Sequence, residues 1–205
     1  MKAVIKGIIL NTEETDSESW IKNLSNLFKT VGKENKDWTF SHQNQFLLII
    51  DAIQAFEFGL LIKSSLLSTK GLDVKIAIGI GELDDTNDQI LDYTGEALKN
   101  CTSQFNELKK SNFAVKTSNE KINQQVKTVV DLVMFITNHW TDKMAEYYKI
   151  AFINQQLNQK ELAKLLHLKS QSTISSILKR AAYEEILQAI VFIRIRIEKL
   201  HNEEN

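Results

Sequence analysis

Hydrophobic positions in the first half of the chain follow two periods in turn. Residues 3–10, Ala-Val-Ile-Lys-Gly-Ile-Ile-Leu, are apolar at both parities, which predicts a strand buried on both faces. Residues 18–31 then place Trp20, Ile21, Leu24, Leu27, Phe28 and Val31 at helical spacing, with Gly32 as the cap. The apolar runs 38–40 and 46–50 are separated by polar residues and predict a hairpin. An apolar helix over 52–68 ends at Lys70-Gly71, a central strand follows over 72–81, and a helix over 94–110 leads to a short strand at 113–116. The order β-α-β-β-α-β, then helix and strand, is the ferredoxin-like, split βαβ pattern. Right-handed crossovers would set its first two helices on one face of the sheet.

The second half keeps the helical period throughout. Residues 119–137 carry Ile122, Val126, Val129, Val130, Val133, Met134 and Ile136, a wide apolar stripe that serves either the chain's own core or a second copy. A helix opens at Trp140-Thr-Asp142, capped by Thr141 or Asp142, with Met144, Tyr147, Tyr148 and Ala151 on one face. Leu157-Asn158 is a break. Residues 159–166 form a short helix with Leu162, Ala163, Leu165 and Leu166 facing inward, and residues 167–170 a turn. A further helix starts at Gln171 with Ser170 as N-cap. Its period runs on through Ile174, Ile177, Leu178, Ile186, Leu187, Ile190, Ile193 and Ile197 to about Leu200.

Composition sharpens this division. The 205 residues contain no proline, and all seven glycines precede position 96. Strand turns need glycine and helices do not, so the expectation is a mixed first domain over 1–117 and an all-helical second domain over 118–205, an α+β protein. One cysteine excludes an intrachain disulfide and a cysteine-rich zinc site. The four histidines are scattered, with no two at metal-ligand spacing. No signal peptide or apolar run of membrane length is present, so the expectation is a cytoplasmic protein with no membrane partner.

Four pieces of the first half carry a resemblance: Val4-Ile-Lys-Gly7, Gln45-Phe-Leu-Leu48, Asp73-Val-Lys-Ile-Ala-Ile-Gly-Ile-Gly-Glu82 and Gly95-Glu-Ala97. In this order they resemble the SatD family of small bacterial proteins. The first half of that family in turn resembles the palm domain of class III nucleotidyl cyclases. The resemblance implies a cyclase-palm-like fold here and a helix-turn-helix in the second half. It does not carry catalysis over. A cyclase of that class holds its metal ions on two aspartates, one at the end of the first strand and one in the following hairpin. The matching positions here are Ile8 and Asn44. Isoleucine cannot coordinate a metal, and asparagine offers a neutral oxygen in place of a carboxylate. The expectation is therefore a non-enzyme, with no catalytic or metal residues and no cofactor.

Three other signals have bland readings. Glu82, Asp84, Asp85, Asp88 and Asp92 follow the strongest strand but match no calcium loop, and read as a solvated loop. Gly79 and Gly81 lie in or at the end of a strand and are followed by acids, which repel phosphate. They read as close packing against a helix or ligand. Cys101 reads as a small buried hydrophobe.

The segment 158–181 carries the functional signal. Gln-x-x-Leu-Ala-x-x-Leu in one short helix and Ser-Gln-Ser-Thr-Ile-Ser entering the next form a helix-turn-helix pattern. From Asn158 to Arg180 five basic residues stand against one acid, a local +4 in a chain whose net charge is -1. Small hydroxyls, a glutamine and cations suit phosphate and base-edge contacts. The candidate DNA-binding residues are Lys160, Lys169, Ser170, Gln171, Ser172, Thr173, Ser175, Ser176, Lys179 and Arg180. The turn is one residue longer than usual and lacks the usual glycine. The expected function is double-stranded DNA binding in transcription regulation, by a homodimer whose first domain serves dimerisation, sensing of a small-molecule ligand, or both. The competing readings are a nucleotide-processing enzyme and a protein-interaction module. Dimerisation is expected through the helix at 119–137 and through the row Ile190, Ile193, Ile197.

Overall fold

The structure, a computed structural model, describes residues 1–15, 17–41, 44–84, 89–108, 112–168 and 170–203. The chain runs β1 (Lys2–Leu10), α1 (Ser17–Phe28), β2 (Trp38–Ser41), β3 (Gln45–Asp51), α2 (Ala55–Leu67), β4 (Asp73–Gly81), β5 (Leu83–Asp84), β6 (Thr94–Gly95), α3 (Glu96–Glu107) and β7 (Phe113–Lys116). The helices α4 (Glu120–Thr137), α5 (Asp142–Ile153), α6 (Gln159–Leu165), α7 (Gln171–Arg180) and α8 (Tyr183–Glu203) complete it.

The fold is mixed α+β. Its main sheet has the order β2-β3-β1-β4-β7, antiparallel except for β7 beside β4. β1 lies at the centre because both of its parities are apolar. Ala3, Ile5 and Ile9 pack with Trp20, Leu24 and Phe28 of α1 and with α2. Val4 points the other way, to Ile49, Ala77 and the α3 residues Ala97 and Cys101. Thus α1 and α2 share one face and α3 covers the other, with β7 following as the parallel edge strand.

Helix α2 is buried on all sides, down to Lys63. The reason is its place in the middle of the molecule, between the sheet and the pair α5 and α8. Lys63 is tolerated there because its Nζ lies 2.9 Å from Asp73 Oδ1 at the start of β4. Arg194 of α8 pairs with Glu57 of α2 on the flank of the same contact. One apolar cluster therefore runs from Ala3 through α2 to Leu200, across both halves of the chain.

Several boundaries differ from the periodicity. Helix α1 stops at Phe28, and Gly32 is not left-handed; its missing Cβ leaves room for the Asp37 side chain. The continuous helix expected from Gln171 to Leu200 is two helices. Ala182 takes a left-handed φ of 54° and turns the chain between α7 and α8. Ile190, Ile193 and Ile197 face the chain's own core and not a neighbour. Leu165, expected inward, is exposed. Thr141 caps α5, accepting from the Met144 amide. Among the described residues, no helix is long and apolar enough to cross a membrane.

Candidate nucleic-acid interface

Helix α6 is short and firmly started. The Asn158 side chain accepts from the Lys160 and Glu161 amides, and the Glu161 carboxylate accepts from the Asn158 amide at 2.8 Å. This reciprocal capping box defines where α6 begins. It ends in a turn whose bonds are also specific. The His167 amide donates to the Lys164 carbonyl and the Leu168 amide to the Ala163 carbonyl, at 3.0 and 2.9 Å. His167 has φ 53°, the left-handed conformation usually given to glycine. The missing turn glycine is thus replaced in conformation by a histidine.

The small Ala163 and Leu162 are buried against α7, whose Ile174 and Leu178 face inward. That leaves a polar outer surface on α7. Ser170, Gln171, Ser172, Thr173, Ser176, Lys179 and Arg180 are all exposed, as is Lys160 on α6. Lys169 lies outside the described residues. Ser175 departs from the set: it is half-buried and lines a cavity of about 730 Å³ with Leu157, Leu162, Leu178 and the acids Glu184 and Glu185, and the exposed Lys179 lines the same cavity. The structure therefore brings eight of the ten candidates to exposed positions and turns Ser175 toward the α5–α8 groove.

The start of α7 is chemically open. Ser170 occupies the N-cap position with an extended backbone, yet its side chain accepts no backbone amide. Its Oγ instead lies 2.8 Å from Ser172 Oγ and 3.1 Å from Thr173 Oγ1. Three hydroxyls, with no N-cap side chain on the first-turn amides, at the positive end of a ten-residue helix form a donor-rich surface for an oxyanion. Lys179 and Arg180 add two cations in its last turn.

In the first half, the sheet brings together the positions that the cyclase resemblance picks out. Asn44, itself left-handed at φ 61°, accepts from the Ile9 amide at 2.9 Å, beside Ile8. Asn44 Nδ2 donates to Thr12 Oγ1. Ile8 lies across from Gln45 on one side and Lys75 on the other. The acidic segment begins at the opposite end of the sheet. Gly81, which precedes Glu82, pairs with Lys2, six residues from Ile8 and so about 20 Å away along the strand. Glu82, Asp84 and Asp92 are exposed, while Asp85 and Asp88 lie outside the described residues. Among the described residues, no three His, Cys, Asp or Glu side chains are grouped to hold a metal ion.

Gly79 has the role read from the sequence. A Cβ there would sit 2.1 Å from the Cys101 amide nitrogen and 2.2 Å from the Ala97 carbonyl, so α3 lies directly on the strand. Gly81 leaves room for the Glu96 side chain. Cys101 is fully buried, its Sγ 3.4 Å from the Ala77 carbonyl, and burial pushes its pKa up to about 11. Compared with protein-family models, with curated proteins and with solved structures, the chain matches none.

The positions of Ser175 and His167 escape sequence reasoning for different reasons. Ser175 is set by where α8 turns back, which no local pattern encodes. His167 takes the left-handed position where a glycine would be expected, and histidine is among the residues that tolerate it, so no residue type marks the turn.

Proposed function

We propose that this chain is a DNA-binding protein of the transcription-regulator type. In this reading α6 and α7 form a helix-turn-helix and α7 is the recognition helix. The observation that carries it is the outer surface of α7: exposed hydroxyls, a glutamine and two cations on a helix whose N-cap side chain accepts no first-turn amide. A helix built to pack against protein would present apolar residues there. Helix α7 presents its apolar residues inward only.

The first half fits a non-catalytic, ferredoxin-like and cyclase-palm-like domain of the SatD type. Its strand order β2-β3-β1-β4, with α1 and α2 on one face, supports this. Ile8 and Asn44 offer no carboxylate where a nucleotide-processing enzyme of that kind needs two, which favours a binding role. A sensing role has room for a small-molecule ligand. A cavity of about 610 Å³ lies between the end of α3, β7 and α4, lined by Leu108, Phe113, Val115 and Val130 with Lys116 and Lys127.

The test is fluorescence anisotropy with genomic DNA fragments at two salt concentrations. The expected result is binding that weakens steeply with salt and retains a preference for particular fragments at the higher one. No binding to any fragment at low salt would remove the proposal.

A further inference from the structure

Helices α4 and α8 lie side by side and run in opposite directions, since the segment after α4 meets the residue before α8. Their inner faces fill the core. Their outer faces carry a second apolar row that the core does not use. Leu132 and Phe135 on α4 are 61% and 69% exposed, and Val191 and Ile195 on α8 are 52% and 42% exposed. The four together offer on the order of 400 Å² of apolar surface, the size at which a patch on a monomer is usually functional.

The spacing of these rows identifies the occupant. Counted away from the Trp140–Ala181 contact, one row of exposed positions on the α4 side is His139, Phe135, Leu132 and Thr128, at intervals of four, three, four, with Asn138, Asp131, Lys127 and Gln124 exposed beside it. On α8 one row is Glu184, Gln188, Val191, Ile195 and Glu198, at four, three, four, three, with Glu185 and Lys199 exposed beside it. Both rows have heptad spacing, with two adjacent apolar residues and polar residues at the ends. The rows are also at matching heights. Leu132 lies eight residues from Trp140 and Val191 ten from Ala181, so at 1.5 Å per residue they stand about 12 and 15 Å from the same end.

We infer that this face binds the same face of a second copy about a two-fold axis parallel to the helices. Such an axis sets α4 of one protomer against α8 of its partner, and every neighbouring pair in the four-helix layer is then antiparallel. Leu132 meets the partner's Val191, Phe135 the partner's Gln188, and Thr128 the partner's Ile195. At the end of the seam the His139 imidazole meets the partner's Glu184 carboxylate. An axis perpendicular to the helices would instead pair α4 with α4 and α8 with α8, and the cross-linking below distinguishes the two. Two helices abreast, about 27 Å long and 20 Å wide, make a face of about 540 Å², so two facing copies cover about 1,080 Å², just above the roughly 1,000 Å² that a biological interface clears. The same axis carries both α7 helices to one end of the assembly, although the interface itself does not depend on what α7 binds.

Light scattering of the full chain without DNA tests this. The expected mass is twice the chain's 23.5 kDa at micromolar concentration. The double variant Leu132→Glu/Phe135→Glu is expected to run as one chain with an unchanged circular dichroism spectrum. Leu91→Glu, at an exposed leucine off the face, is expected to remain a dimer. The axis is read by oxidation. A mixture of Leu132→Cys and Val191→Cys chains is expected to cross-link, and Leu132→Cys alone is not, Cys101 being buried. A wild-type mass of one chain, or a double variant that stays dimeric, would overturn the interface. Efficient cross-linking of Leu132→Cys to itself would overturn the parallel axis. DNA binding is measured separately, so its loss in an intact dimer counts only against the role of α7.

Discussion

The Trp140 indole donates a hydrogen bond to the Ala181 carbonyl, 3.1 Å away. This joins the end of α4 to the last residue before the left-handed turn at Ala182, and so fixes where α7 sits on the rest of the molecule. The ring itself lies 4.6 Å from that of Tyr148 on α5, tilted by 40°. Trp140→Phe keeps much of the ring and removes the donor. A buried carbonyl then loses this partner, at a cost of about 1–2 kcal/mol. The expected result is a lower denaturation midpoint with an unchanged slope in urea. A midpoint equal to wild type would mean that the contact does not hold α7 in place.

Gly79→Ala is expected to be far more severe. The added methyl would overlap backbone atoms of Cys101 and Ala97, not a side chain that can rotate away. Relief requires lifting α3 off the sheet, which exposes Val4, Ile49 and Ala77. The expected loss is about 3 kcal/mol or more. Gly71→Ala is the useful comparison. It also strains a left-handed residue, but nothing lies within 4 Å of its Cβ position, so its cost stays near 1 kcal/mol. Equal thermal shifts in the two variants would contradict the close approach of α3.

Cys101 gives the fold an alkaline limit. Burial raises its thiol pKa from an ordinary 9.0 to about 11, against the lowering effect of backbone hydrogen bonds at Lys6 and Gly79. The folded thiol therefore holds its proton more tightly than the unfolded one. Its stabilising contribution is complete below pH 9 and is lost as pH rises toward 11, a fall of roughly 2–3 kcal/mol. Burial shifts Tyr148 and Tyr183 upward as well, which adds loss of the same sign above pH 10. Urea titrations between pH 8 and 10.5 should show the decline. Cys101→Ala should flatten its first part, and a wild-type curve that is flat to pH 10.5 would rule out the buried neutral thiol.

The strands and most helices were legible because their signals are local. β1 reads apolar at both parities since it is central, and α2 reads apolar on all sides since it lies between two layers. The break at Ala181-Ala182 was not legible. No glycine or proline marks it, and an alanine holds the left-handed conformation because Trp140, forty-one residues away, binds the preceding carbonyl. Helical periodicity alone cannot detect such a break, since Ile186, Ile190 and Ile193 keep the count on its far side. For the same reason the sequence pointed to the wrong isoleucines as a dimer surface. Val191 and Ile195 belong to the opposite side of α8 from Ile190, Ile193 and Ile197, and only the packing of α8 on the core tells which side is free. In the candidate site, α7's outer surface was readable from Ile174 and Leu178, whereas the inward turn of Ser175 depends on α8.

The surface of α7 predicts two kinds of defect on DNA, and they separate its residues. Lys179 lies in the last turn, exposed, on a side chain long enough to reach phosphate. A phosphate contact carries no sequence information, so Lys179→Ala is expected to weaken all fragments alike and to reduce the salt slope by about one. Gln171 lies in the first turn, exposed, at the end of α7 that would point toward base edges in the major groove if α7 is the recognition helix proposed above. Its amide can donate to and accept from one adenine edge, so Gln171→Ala is expected to cost about 1–3 kcal/mol on the preferred fragment and little elsewhere. Ser175→Ala is expected to change neither, because Ser175 is short and half-buried, whereas Gln171 and Lys179 on the same stripe of α7 are exposed. Anisotropy titrations of the three variants against a preferred and a scrambled fragment would read these patterns directly. If Ser175→Ala weakened binding while Gln171→Ala and Lys179→Ala did not, the assignment of the exposed residues of α7 to DNA would fail.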